Sequence, residues 1–170
     1  MTDICDFAPY HFNRIIKYSG LLDFDDFYKF CQRWMKERNW DFYELKAKDK
    51  PPYQVYKWIA RKKVNYYGMI QINIEITLWE SKEVEAIVDG KKKKMIDTKM
   101  KFDLSGAQIT DYDGDFEKND FLKKVEKFLN NYVLYHENLL QYFDYLDYYL
   151  HDFFTEIKKY LKMETASNAY

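Results

Sequence analysis

Hydrophobic and polar positions recur with two different periods along this chain, and the change of period marks out its elements. From Met69 to Trp79 the sequence MIQINIEITLW sets Ile70, Ile72, Ile74, Ile76 and Leu78 on one side and Gln71, Asn73, Glu75 and Thr77 on the other. Strict alternation predicts a strand in a sheet with one buried and one wet face. HFNRIIKYSG reads the same way, with Phe12, Ile16 and Tyr18 together and an end at Gly20. DFYELKAKDK alternates through Tyr43, Leu45 and Ala47, and Pro51-Pro52 interrupts it because proline cannot continue a ladder. YQVYKWIARKKV resumes in extended form with two partly apolar faces. In VEAIVDGKKKK the Asp89-Gly90 pair between extended runs predicts a hairpin, since a tight primed turn needs positive φ at both centres. Ile96, Met100, Phe102 and Leu104 alternate after it. The apolar parity then switches to Ala107 and Ile109, which predicts a β-bulge or bend at Ser105-Gly106.

Period 3.6 replaces period two in two places. Asp23 is a good N-cap, with Asp25 and Asp26 in the first turn where carboxylates favour the helix dipole. Phe24, Phe27, Tyr28, Cys31, Trp34 and Met35 then form one apolar stripe, and Lys36 and Arg38 suit the far end. The second place starts at Asn119 or Asp120. From Val125 through Leu129, Tyr132, His136, Leu139, Phe143, Leu146, Leu150, Phe153, Ile157 and Tyr160 the gaps alternate between four and three, as in a heptad seam. Phe128, Tyr135, Tyr142 and Tyr149 add a parallel stripe.

An unbroken helix from Asp120 to Lys162 would be roughly 65 Å long, whereas a compact domain of this size is about 35–40 Å across. Either the helix breaks near Asn130-Asn131 or near His136-Glu137-Asn138 and folds back, or it runs on and pairs with another chain. In each case the seam must be covered, because a bare apolar stripe of that size aggregates. The expected organisation is therefore an α+β domain over residues 1–135, a curved antiparallel sheet of about five to seven strands packed on helices. An aromatic helical extension follows over 136–162, then a frayed tail over 163–170.

Composition sharpens this picture. The chain has 17 Tyr and 13 Phe among 170 residues, more rings than a heptad seam consumes. Surplus tyrosines such as Tyr145 and Tyr148 suit the rim of an interface. The net charge of −1 supplies no global field for nucleic acid or anionic membrane. Two local basic runs remain, Arg61, Lys62 and Lys63 beside Tyr66 and Tyr67, and Lys91, Lys92, Lys93 and Lys94. Together they are the candidates for contact with RNA or single-stranded DNA. With only Cys5 and Cys31, neither a disulfide framework nor a zinc site is expected, and reduced thiols in a cytoplasmic setting are. No signal peptide or membrane-spanning run is read in the sequence.

Candidate chemistry is sparse. Asp144, Asp147 and His151 share a helical face, but the pattern lacks the Glu-x-x-His pairs of carboxylate metal bundles, so no metal is expected. His136 in the seam reads as a hydrogen-bonded core or register-setting group. His11 near Cys5 has no evident third partner for nucleophilic catalysis. No phosphate-binding loop is present. No catalytic residue and no cofactor are assigned.

The element order of strand, helix, antiparallel meander and long terminal helix resembles the START-like, or SRPBCC, helix-grip superfamily. The stretch KYSGLLDFDDFYKFCQRWMKERNWDFYE also resembles a segment of small uncharacterised archaeal proteins. The helix-grip resemblance implies a sheet wrapped on the terminal helix with a cavity for an apolar ligand. It transfers no catalytic residue. Trp34, Trp58, Ile74, Phe102, Phe128 and Tyr132 are the residues expected to line such a pocket. The leading functional expectation is a non-enzymatic interaction protein. It self-associates or binds a partner through Leu139, Phe143, Leu146, Tyr149, Leu150, Phe153 and Ile157. The alternatives are a carrier or sensor of a small apolar ligand, and an accessory protein for RNA or single-stranded DNA.

Overall fold

The computed structural model describes residues 13–50, 52–88, 91–116, 118–133 and 139–163. The chain is α+β. The described residues form five strands, β1 (Asn13–Leu22), β2 (Asp41–Lys50), β3 (Tyr53–Lys63), β4 (Gly68–Val88) and β5 (Lys91–Thr110). They form one antiparallel sheet in the order β1-β5-β4-β3-β2. The first helix, α1 (Phe24–Glu37), carries the chain from one sheet edge to the other. Asp23 caps it as the sequence predicts, its Oδ1 accepting from the Asp26 N–H at 3.0 Å. Strand β1 runs past Gly20 to Leu22.

One sheet face is apolar. Ile70, Ile72, Ile74, Ile76 and Leu78 of β4 are buried, as their alternation predicts. Beside them in register lie Met100, Phe102 and Leu104 of β5, and Trp58 and Ala60 of β3. The expected bulge at Ser105-Gly106 is absent: Asn73 to Gly68 pair with Ser105 to Thr110 without a shift. Gly106 instead keeps the inward parity. A Cβ there would lie 2.7 Å from Leu146 Cδ2 and 2.9 Å from Leu150 Cδ1. The missing side chain is room for a helix to approach. The register shifts fall elsewhere, between Glu44 and Lys46 in β2 and between Trp79 and Lys82 in β4. Tyr43, opposite Ile59, already faces outward; the first shift leaves Leu45 exposed and brings Ala47 to the inner side with Phe42 and Glu44, so the expected Tyr43-Leu45-Ala47 face does not form.

Beyond the second shift, Lys82–Val88 pair only with β5, as far as Val88 opposite Lys91. This two-stranded ribbon carries the exposed Lys92, Lys93 and Lys94, charges that discourage edge-to-edge pairing. Asp89-Gly90, the expected turn, lie outside the described residues.

Among the described residues the C-terminal region is not one uninterrupted α-helix. Asn119 caps α2 (Asp120–Phe128), its Oδ1 accepting from the Phe121 N–H at 3.0 Å. The chain then passes into a π-helical turn, Leu129–Val133. A second π-helical turn, Leu139–Asp144, leads into α3 (Tyr145–Tyr160). His136 and Tyr135 lie outside the described residues.

Helix α3 lies against the same sheet face as α1. Phe153 packs against Trp34, the rings tilted with centroids 4.5 Å apart, and meets Phe102 at 6.2 Å. Phe27 of α1 touches Phe102 at 6.0 Å and Tyr160 at 5.5 Å. One hydrophobic core therefore runs from Ile16 to Leu161, and the expected boundary at 135/136 does not divide it. Polar ties bind the rim: Arg14 reaches Asp147 at 2.6 Å and His151 Nδ1 at 3.0 Å, Arg38 reaches Asp152 at 2.9 Å, and the Tyr160 hydroxyl donates to Asp26 at 2.7 Å.

Candidate functional site

The sequence-derived candidates are distributed as follows. Phe143, Leu146, Leu150, Phe153 and Ile157, expected at a partner interface, are buried in the chain's own core. From Leu146 to Ile157 the seam is covered by the sheet and α1, so that part is not a free surface; Tyr149 lies half-buried at its edge. The Leu139 side chain lies outside the described set. Of the pocket candidates, Trp34, Trp58, Ile74 and Phe102 are packed solidly into the core. Phe128 and Tyr132 lie outside it, 57% and 76% exposed, at the end of α2 and in the π-helical turn that follows. They line no space between sheet and helix.

The two basic runs do not combine. Lys62 sits opposite Ile70 and Lys93 opposite Ala86 along β4, which separates them by roughly 50 Å at a strand's rise per residue. Arg61 binds Gln71, Lys63 lies 4.6 Å from the Tyr112 ring centre, and Lys93 pairs with Asp23 at 2.6 Å. Lys62 is turned toward α3 and donates to Tyr149. Arg14 occupies Asp147 and His151, two of the three groups in the Asp144/Asp147/His151 pattern. Among the described residues no group of three or more His, Cys, Asp or Glu is placed to hold a metal ion. Burial pushes the Cys31 thiol far above its ordinary range, so it stays protonated inside the core.

A site the sequence did not reveal lies where α1 begins. There the inner sheet face continues past the helix and leaves an open groove of about 590 Å³. Asp23, Phe24, Asp25 and Tyr28 come from the start of α1, Glu44 and Ala47 from β2, Gln54 and Tyr56 from β3, Glu83 from β4, and Lys94, Met95 and Ile96 from β5. Its apolar lining combines the rings of Phe24, Tyr28 and Tyr56 with Ala47, Met95 and Ile96. Phe24 lies 4.5 Å from Tyr56, and Tyr28 lies 5.1 Å from Trp58 just beneath. The size matches sites for drug-sized molecules.

The electrostatics of the groove are one-sided. Burial and the Glu44 carboxylate push the Tyr28 hydroxyl up to about 12, so it remains a neutral donor. Burial works to raise Asp23, but the Lys93 ammonium and the Asp26 N–H outweigh it and hold the carboxyl below its usual value. Four carboxylates, Asp23, Asp25, Glu44 and Glu83, face Lys94, the Asp23-bound Lys93 and about half a positive charge from the start of α1. The balance is negative. The arrangement attracts a cation and offers rings for its apolar part.

Linear spacing could not unite these residues, since they come from five elements and meet only through the register. The available signal was local: Glu44 holds inward parity beside Phe42, a carboxylate where a core residue is expected.

Comparison with protein-family models, with curated proteins and with solved structures gives no match. Among the described residues no helix is long and apolar enough to cross a membrane.

Proposed function

We propose that this chain is a non-enzymatic binding protein that holds a small organic cation with an apolar body in the groove at the start of α1. The observation that carries the reading is the pairing of an aromatic lining with four carboxylates around about 590 Å³. Burying a charge without partners is costly, so a site with this excess of carboxylates selects for the positive end of its ligand. The strand order, with β1 beside β5 and α3 across the same face as α1, supports the helix-grip resemblance. The ligand site differs from the one that resemblance implies, because Trp58, Phe102 and Phe153 fill the space under α3. A cytoplasmic setting belongs to the same proposal and rests on the scarcity of cysteine and the free, buried Cys31 thiol.

Calorimetric titration with 2-phenylethylammonium and with 3-phenylpropionate tests it, since the two share a ring and differ in charge. Binding of the ammonium alone is expected, weakened about tenfold when Glu44→Gln and Glu83→Gln are combined, an effect of the order of one lost charged hydrogen bond. Equal binding of both compounds, or none of either at millimolar concentration, overturns the proposal.

A second reading, self-association, is favoured by α2 rather than α3. Helix α2 buries none of its residues and leaves Phe121 and Phe128 exposed, with Tyr132 and Val133 exposed just beyond it. Its first turn holds Asp120 and its last Lys127, so two copies packed antiparallel place opposite charges face to face. Light scattering of the full chain over a range of concentrations should show a dimer that Phe128→Asp with Tyr132→Asp converts to a monomer. A monomer at every concentration sinks this reading.

A further inference from the structure

Lys62 lies on the inner face near the end of β3, opposite Ile70, where a core-facing chain would ordinarily be apolar. Its ammonium donates to the Arg38 carbonyl at 2.9 Å and to the Tyr149 hydroxyl at 2.8 Å. It also lies 4.7 Å from the Tyr149 ring centre, 5.7 Å from Tyr145 and 6.0 Å from Trp40. The Tyr145 and Tyr149 hydroxyls are 3.0 Å apart on adjacent turns of α3. The Tyr149 oxygen is therefore approached by a cation and by a second phenol at once. Around it, Trp34 and Trp40 present edge-on rings at 6.4 Å and 5.3 Å. The charged groups nearby are balanced: Arg38 also lies close, and its guanidinium is taken by Asp152 at 2.9 Å, so Lys62 keeps its charge for Tyr149.

We propose that Tyr149 is a nucleophilic phenol, an acceptor site for acyl groups delivered by small activated esters or thioesters. An ammonium within hydrogen-bond distance stabilises a phenolate more than a phenol, and so does a neighbouring hydroxyl able to donate. Burial works to raise Tyr149, but Lys62 and Tyr145 outweigh it and hold this phenol below its ordinary range, while Tyr145 is raised by its bond to Tyr149. In the step itself, Tyr149 loses its proton to solvent and the phenolate oxygen attacks the acyl carbon. A new C–O bond forms, and the ester's oxygen or thioester's sulfur departs with the bonding pair and takes up a proton. Tyr149 is half-buried and Tyr145 is exposed, so a small reagent reaches the oxygen without unfolding.

The chain supplies its own controls. Tyr66 is 90% exposed and Tyr148 is 76% exposed, and reaction governed by access alone would label them first. Limited treatment with p-nitrophenyl acetate, followed by peptide mass mapping before and after hydroxylamine, separates labile tyrosine esters from stable lysine amides. Tyr149 is expected to take the label ahead of Tyr66 and Tyr148. Lys62→Met should lower its rate about tenfold, because the phenolate loses its neighbouring cation, with Tyr66 unchanged; Lys62→Arg, which keeps the charge, should retain the lead. Labelling in order of exposure, or a Tyr149 rate indifferent to Lys62→Met in a protein that still melts cooperatively, overturns the proposal.

Discussion

Phe153→Ala is expected to destabilise the protein by about 3–5 kcal/mol, the range for emptying a large aromatic site in a core. The ring is fully buried and is held by Trp34 of α1 and Phe102 of β5, so neither layer can collapse into the hole without moving the other. A domain of this size has a total stability of about 5–15 kcal/mol, so the loss approaches the threshold of unfolding. Urea denaturation measures it, with Tyr148→Ala on the exposed side of the same helix as a control expected within about 0.5 kcal/mol of the parent. The concentration dependence carries further information. A residue covered by its own chain shows the same loss at every protein concentration, whereas one covered by a partner shows a loss that shrinks as concentration rises. A concentration-dependent loss would return the aromatic seam to an interface between chains.

Gly106→Val is expected to cost about 3 kcal/mol, at the upper end of ordinary overpacking. Elsewhere in a strand the same change gains up to about 1 kcal/mol, because valine suits a pleated surface better than glycine. The sign reverses here because Leu146 and Leu150 occupy the space a side chain would take. Leu146→Ala should relieve the crowding, so the double substitution loses less than the sum of the two single ones, a coupling that denaturation of all four proteins measures. Strict additivity would show that α3 does not sit on Gly106. Gly68, where Tyr142 fills the corresponding place, repeats the device nearer the start of α3.

Much of this fold is legible in the sequence wherever one rule operates alone. The β4 isoleucines need only a two-sided sheet, and the Asp23 cap needs only three residues of context. Legibility ends where two elements have to be known together. The parity change at Ala107 reads as a bulge, yet β5 runs straight and Gly106 is small because a helix forty residues later lies on it. The true shifts, near Leu45 and near Glu80-Ser81, carry no Gly or Pro; Glu80 adopts φ +56 without one. The heptad seam is visible as a pattern, but a pattern does not state whether its own sheet or another chain covers it. The groove is the extreme case, since Asp23, Glu44 and Glu83 are separated along the chain and converge only once the strands are in register.

The neighbour of β1 in the sheet has a consequence for how the chain is made. Among the described residues β1 hydrogen-bonds only to β5, whose paired residues leave the ribosome roughly 75 to 90 positions later, and such distant pairings slow folding. Until β5 is out, β1 lacks this partner strand and α1 has only a partial surface to lie on. The core then waits again for Leu146 to Ile157, which emerge later still. The apolar side of the β2–β4 meander is thus uncovered until β5 and α3 have both emerged. A nascent chain halted before α3 is an aggregation-prone species and a natural client for chaperones.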